Sequence, residues 1–96
     1  MKLLLNGAKG RMGQAIIQAA HDAGDTLTAA LDLGDDATPH LSTAEAVIDF
    51  SFHDATAPLV KLAGDAGLPV VIGTTGHTED ERKAIRACAD QAAIVW

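Results

Sequence analysis

Leu3-Leu4-Leu5-Asn6-Gly7-Ala8-Lys9-Gly10-Arg11-Met12-Gly13 is the stretch that decides the fold. A short apolar strand runs straight into three glycines spaced three apart, and the pattern beyond Gly13 is helical. Between a strand and a helix each glycine has its own physical task. Gly7 permits the tight turn, Gly10 lacks the Cβ that would keep a phosphate off the main chain, and Gly13 lets the helix pack close to the strand. The N–H groups of the first helical turn then face an anion. A βαβ unit receives a dinucleotide pyrophosphate in this way. Arg11 falls in that first turn, where the helix macrodipole disfavours a cation by roughly 0.3–1 kcal/mol; a bound phosphate reverses the sign. Without a ligand, the same residues read as an ordinary glycine turn beside a solvated arginine.

The composition suits one small globular domain, residues 1–96, with an aliphatic core: Phe50, Phe52 and Trp96 are its only Phe, Tyr or Trp residues. The formal charge of −6 argues against nucleic-acid binding, which needs a basic face. Lys2, Lys9 and Arg11 are the only formal charges before Asp22. The one locally basic end therefore coincides with the glycine turn, and a patch that small suits a small anion. Cys88 is the only cysteine and reads as a small buried hydrophobe. The apolar run at the N-terminus stops at Asn6-Gly7, unlike a signal peptide, and no segment approaches a membrane span. A soluble, cytoplasmic protein is expected, with neither nucleic acid nor membrane as partner.

Working outward, strand one is expected at Lys2–Asn6 and helix one carries Met12, Ile16, Ala19, Ala20 and Ala23 on one face, stopping at Gly24. Strand two follows at Leu27–Asp32. Leu33–Glu45 is broken by Gly34-Asp35-Asp36 and Pro39 and reads as a loop with at most one turn. Strand three, Ala46–Phe50, is a continuous apolar run of the kind buried on both faces of a parallel sheet. Helix two is placed at Asp54–Ala66, with Pro58 tolerable only in its first turn. Strand four is Val70–Gly73, and Gly73-Thr74-Thr75-Gly76 a loop. Thr78-Glu79-Asp80-Glu81 has capping-box form and opens helix three, which turns Ile85, Cys88 and Ala92 inward; Ala93–Trp96 begins strand five. This alternation predicts an α/β, Rossmann-like, doubly wound parallel sheet of about five strands and three helices.

Asp32 closes strand two, across the crevice from the glycine turn, where a carboxylate accepts hydrogen bonds from adenosine ribose hydroxyls. No cation follows it, and Asp35 and Asp36 would repel a 2′-phosphate, so NADH is expected to be preferred with NADPH possible. Gly73, Thr74 and Thr75 lie at the carboxyl end of strand four, which together with strand one is expected to flank the reversal of strand order. There they offer hydroxyls and open backbone to a nicotinamide; a locally capped turn is the alternative. Phe50 or Phe52 can pack against a cofactor, while Asp49 reads as an acceptor of backbone hydrogen bonds. His21, His40, His53 and His77 are scattered without metal-ligand spacing and read as surface or capping residues. No nucleophile–base pair is evident, so no catalytic residue is assigned and the cofactor must supply any hydride.

Taken in order, Gly7-Ala8-Lys9-Gly10-Arg11-Met12-Gly13, Ala30-Leu31-Asp32, Val47-Ile48-Asp49-Phe50-Ser51 and Val71-Ile72-Gly73-Thr74-Thr75-Gly76 closely resemble the N-terminal, cofactor-binding domain of the 4-hydroxy-tetrahydrodipicolinate reductase (dihydrodipicolinate reductase) family. The resemblance covers essentially the whole chain. It implies NAD(P)H-dependent reduction in the diaminopimelate route to lysine, and a homotetramer built largely through a second domain. It further implies pyrophosphate binding by Gly7, Ala8, Lys9, Gly10, Arg11 and Met12, ribose binding by Asp32, and a place beside the nicotinamide for Gly73, Thr74 and Thr75. Two departures stand out. The loop between strands two and three is short, and the chain stops at Trp96 before the family's Ala-Pro-Asn-Phe-like segment, its dicarboxylate-binding domain and its returning C-terminal segment. A fragment that is not catalytic alone is therefore expected. The alternatives are a stand-alone dinucleotide-binding or redox-sensing module and a relative of aspartate or homoserine dehydrogenases. A purely structural domain leaves Arg11 and the ordered glycines unexplained.

Overall fold

A computed structural model describes residues 1–32, 34–91 and 93–96. The elements follow in the order β1 (Lys2–Asn6), α1 (Arg11–Ala23), β2 (Thr26–Leu31), a 3₁₀ segment (Thr38–Thr43), β3 (Ala46–Asp49), α2 (His53–Asp65), β4 (Val70–Ile72), α3 (Glu79–Ala87) and β5 (Ile94–Val95). The strands form one five-stranded sheet in the order β2-β1-β3-β4-β5, every pair parallel. This is the Rossmann-like α/β architecture expected from the sequence.

Handedness distributes the helices. The crossover from β1 to β2 runs one way along the sheet, and every later crossover runs the other way. Right-handed connections then put α1 on one face and the 3₁₀ segment, α2 and α3 on the other. The main core follows: Leu4, Val47 and Val70 of the sheet meet Leu41 of the 3₁₀ segment, Leu59, Val60 and Ala63 of α2, and Ile85 of α3. Leu4, Val47, Val60, Val70 and Ile85 are fully buried, each stabilising by about 1.5–3 kcal/mol over an exposed position. The opposite face is smaller, with Leu3 and Ala46 against Ala20 of α1 and Leu27 and Ile48 at its margin. A register shift between Leu3 and Leu4 explains how β2 serves both faces. One extra residue turns Leu27 toward α1 while Ala29 and Leu31 enter the main core.

Four local expectations are corrected. Met12 does not face inward; it is 54% exposed, and Ala19 and Ala23 are exposed too, while Gly13 and Ala20 are buried and Ile16 and Ile17 half-buried. The phase of α1 is set by Gly13, whose α-carbon is pressed against the backbone of Gly7 and Ala8. The stretch after β2 is more than a loop with one turn: the 3₁₀ segment spans six residues, with Pro39 in its first turn. It forms because Ala37, Leu41 and Ala44 must all reach the core. Helix α2 starts at His53, so Pro58 stands beyond the first turn. The bond it forfeits is the one to the carbonyl of Asp54, an exposed residue that water can serve. The reversal of strand order lies between β1 and β3, not between the first and fourth strands.

The capping box on α3 forms as expected: Glu81 N–H donates to Thr78 Oγ1 at 3.2 Å, and Thr78 N–H to Glu81 Oε1 at 2.7 Å. Ile85 and Cys88 are buried; Ala92 lies outside the described residues. Among the described residues, no helix is long and apolar enough to cross a membrane.

Candidate functional site

The strand–turn–helix at the start of the chain has the geometry its glycines demand. Gly7 has φ of +96°, a left-handed conformation, and a Cβ there would overlap the carbonyl of Phe50. A Cβ on Gly13 would overlap the Gly7 carbonyl and the backbone of Ala8, so α1 approaches β1 as closely as main chains allow. Gly10 differs. A Cβ there would meet nothing nearer than the Gly7 oxygen, at 3.7 Å. The protein itself does not need glycine at position 10; the space in front of it is open. Gly10 is also the N-cap of α1, with no side-chain cap and no acidic residue in the first turn. The first-turn donors are thus left to an external acceptor, and the dipole favours an anion.

The turn is anchored to β2. Gly7 N–H and Ala8 N–H both donate to the Leu31 carbonyl, at 2.9 and 3.0 Å. Lys9 N–H donates to Asp32 Oδ2 at 2.7 Å. Asp32 N–H donates in turn to Asp35 Oδ2 at 2.9 Å, and Asp35 N–H to the Asp32 carbonyl. A cavity of about 440 Å³ opens beside this turn, lined by Asn6, Gly7, Gly10 and Asp32 at one end. Asp35 and Asp36 form its acidic lip; Ala37, Ala55, Pro58, Leu59 and Leu62 form an apolar wall, with Phe50, Ser51 and Phe52 between. Its size falls within the roughly 300–1,000 Å³ of small-molecule sites. The hydrogen bonds from the Thr38 N–H and then its hydroxyl hold the Asp36 carboxyl below its ordinary value, keeping the lip charged.

Behind the cavity lies a fully buried carboxylate, Asp49 at the end of β3. Asn6 Nδ2 and Ser51 Oγ donate to its Oδ1; Thr56 Oγ1 (2.6 Å) and Thr74 Oγ1 (2.9 Å) donate to its Oδ2. These four donors fill the four lone-pair positions of the carboxylate. They are side chains, not the backbone groups expected from sequence. Thr56 has one hydroxyl proton and spends it on Asp49, so the 2.9 Å contact to His77 must be a donation from His77 Nε2–H. His77 is therefore a buried network member and not a surface histidine.

All of residues 1–96 match the model of the family described as dihydrodipicolinate reductase, N-terminus. The chain belongs to this family. It is similar to the 4-hydroxy-tetrahydrodipicolinate reductase of Akkermansia muciniphila, at 41% identity over 97 residues, 100% of this chain and 39% of that protein. The corresponding enzyme of Ralstonia pickettii is 35% identical over 119 residues, 100% of this chain and 45% of that protein. That of Acinetobacter baylyi is 35% identical over 113 residues, 94% of this chain and 41% of the relative. The chain thus spans less than half the length of these relatives.

The structure gathers Gly7, Gly10, Asp32 and Phe50 around the cavity. Lys9, Arg11 and Met12 are exposed around the turn and Ala8 is buried beneath it. Gly73, Thr74 and Thr75 do not line the cavity. They lie beyond Phe50, whose ring occupies the space a Cβ on Gly73 would need. Thr75 is exposed, but the Thr74 side chain is buried and already engaged by Asp49 and by the Ser51 N–H, at 2.9 Å. Sequence reasoning missed the apolar wall from α2. The available signal was the spacing of Ala55, Pro58, Leu59 and Leu62 along one helical face.

The open end of α2 is tied to α3 by His53 Nδ1 and Glu81 Oε1, 2.7 Å apart. The hydrogen bond to Glu81, then its charge, raises the His53 pKa; the Thr78 N–H and then His53 lower that of Glu81. A raised histidine stabilises fully below its ordinary value near 6.5 and loses that contribution as pH rises through the folded value. A lowered carboxyl stabilises above its ordinary 4.5 and loses that contribution as pH falls through the folded value. Glu81→Gln keeps an acceptor for the capping box but removes the charge. The stability deficit of Glu81→Gln is expected to be greatest between these two values and to shrink in alkali, as read by urea unfolding across pH. A deficit that grows above pH 8 would contradict the pairing.

Proposed function

We propose that residues 1–96 are the dinucleotide-binding domain of an NAD(P)H-dependent reductase acting on a dihydrodipicolinate-type substrate in lysine and diaminopimelate biosynthesis, a cytoplasmic route. The observation that carries this reading is the open space before Gly10, at the uncapped start of α1 and the mouth of the cavity. With φ of −70° and room for a Cβ, position 10 needs glycine for neither backbone strain nor packing, whereas a phosphate seated on the main chain would need it. The family match supplies the reaction class.

In this reading the first-turn N–H groups of α1, with Arg11, hold the pyrophosphate. Asp32, anchored beside the turn by its bond from Lys9 N–H, turns its carboxylate to the ribose hydroxyls. The wall of Ala37, Ala55, Leu59 and Leu62 takes the adenine, and Gly73, Thr74 and Thr75 receive the nicotinamide half beyond Phe50. When bound, the reduced nicotinamide supplies the hydride. The residues of this chain bind and orient. The dicarboxylate substrate, its proton donor and the homotetramer contacts are assigned to the part of the relatives' length outside residues 1–96, so this chain alone is expected to be inactive.

NADH is the preferred cofactor in this proposal, because a 2′-phosphate would stand beside Asp32, Asp35 and Asp36. Calorimetric titration is expected to give NADPH at least about tenfold weaker binding than NADH, a difference of ~1.4 kcal/mol. The gap should narrow with added salt. Gly10→Val, shown to be folded by circular dichroism, is expected to bind neither. A folded wild-type chain that binds no dinucleotide would overturn the proposal, and equal affinities would overturn the cofactor preference alone.

A further inference from the structure

We infer that Asp49 is a positioning residue for the nicotinamide half of the cofactor, acting through Thr74. The inference rests on the dinucleotide reading above and adds a residue that never meets the ligand. Asp49 sits where the strand order reverses, paired with Asn6 across β1 and β3 and with Ile72 across β3 and β4. Its main chain and side chain grip the loop after β4 together. The Asp49 carbonyl accepts from Gly73 N–H at 2.8 Å and Thr74 N–H at 3.2 Å, and its carboxylate accepts from the Thr74 hydroxyl. On its other side Asn6 Nδ2 donates to it, one residue before Gly7.

One buried group therefore sets the separation between the glycine turn, which holds the pyrophosphate, and the Gly73–Thr75 loop, which receives the nicotinamide. Asn6, Ser51, Thr56 and Thr74 all donate to the carboxylate, and His77 donates toward it through Thr56, so these side-chain hydrogen bonds all point inward. That directionality argues for positioning over proton transfer. It also predicts an asymmetry. Loosening the Thr74 side of the hub should disturb the nicotinamide half and spare the adenosine half, since Asp32 and the α2 wall belong to other elements.

The test compares NADH with ADP-ribose, which lacks nicotinamide, by calorimetry on the same chain. Thr74→Val removes the hydroxyl at nearly constant volume, and Asp49→Asn removes the charge. Both are expected to weaken NADH about tenfold, the scale of one lost hydrogen bond, and to leave ADP-ribose within about twofold. Thr74→Ser should restore NADH binding. Thr56→Val strips the α2 donor from the same oxygen, Oδ2, while leaving the bond from Thr74 in place. It should cost stability but leave the NADH to ADP-ribose ratio unchanged. If Asp49→Asn does not fold, Thr74→Val still decides. Equal losses for the two ligands, or no loss in a folded variant, would overturn the inference while leaving the dinucleotide reading intact. Failure of the wild-type chain to bind either ligand would overturn that reading, and the inference with it.

Discussion

Gly13→Val is expected to destabilise the folded state severely, while Gly10→Val is expected to spare it. The two glycines sit three residues apart in one motif, yet their surroundings are opposite. At position 13 a Cβ overlaps the Gly7 carbonyl and the Ala8 backbone. Neither is the end of a flexible side chain that can swing away. Relief would require α1 to back off β1, which opens the contact of Leu3 and Ala46 with Ala20. It would also strain Gly7, whose own α-carbon is wedged against Phe50. Ordinary overpacking costs typically 1–3 kcal/mol, and a clash between main chains on both sides should exceed that range, to ~4 kcal/mol or more. A domain this small has a total stability of only about 5–14 kcal/mol at 0.05–0.15 kcal/mol per residue. Far-UV circular dichroism with urea unfolding checks the pair. A Gly13→Val melt within a few degrees of wild type would show that the close packing is not what holds α1 in place. An unfolded Gly10→Val would show that the open space before Gly10 is not open.

The same contrast marks how far the sequence could be read. The glycine spacing identified the strand–turn–helix, and the alternation of apolar runs identified a parallel sheet with its five strands in nearly the observed places. These features are local: they depend on periodicity and on single residues with restricted backbone preferences. What escaped was decided by packing between elements. Met12 fits an apolar stripe on α1, but Gly13 fixes the helix phase and leaves Met12 in solvent. Pro58 reads as a boundary, yet α2 continues through it because the orphaned carbonyl belongs to an exposed residue. His77 has no neighbour in sequence that marks it as buried; it lies in a loop, and its partner Thr56 is on α2. The position of the strand-order reversal depends on which strand lies beside β1, and no local pattern carries that. For the candidate site, Gly7, Gly10, Asp32 and Phe50 were legible because a motif names them. The wall supplied by α2 and the hub at Asp49 were not, because both are assembled across elements far apart in sequence.

Asp49→Ala carries the second large expected effect, a loss of about 3–5 kcal/mol. The aspartate is fully buried, and so is Thr56; Thr74 is nearly so. Removing the carboxylate leaves the Thr74 hydroxyl to the Asp49 carbonyl, 3.2 Å away, and the Thr56 hydroxyl to the His77 ring, which must change tautomer to accept its proton. Each buried polar group left unsatisfied costs about 1–3 kcal/mol. The loss also reaches beyond the hub, because the Asn6 amide and the two threonine hydroxyls join the ends of β1, β3 and β4 to α2 through this carboxylate. Urea unfolding with an unchanged m-value would measure it. The distinction that matters is between the worth of the charge and the cost of its removal, since a buried charged network is not stabilising merely because breaking it is destructive. Thr56→Val and Thr74→Val, combined with Asp49→Leu, remove the acceptor and two of its donors together. The triple variant is expected to recover more than half of the Asp49→Ala loss, because fewer polar groups are then stranded. Additive losses across the three positions would mean instead that the carboxylate itself stabilises the fold. A loss below about 1 kcal/mol for Asp49→Ala would mean that water or rotated hydroxyls satisfy the site without it.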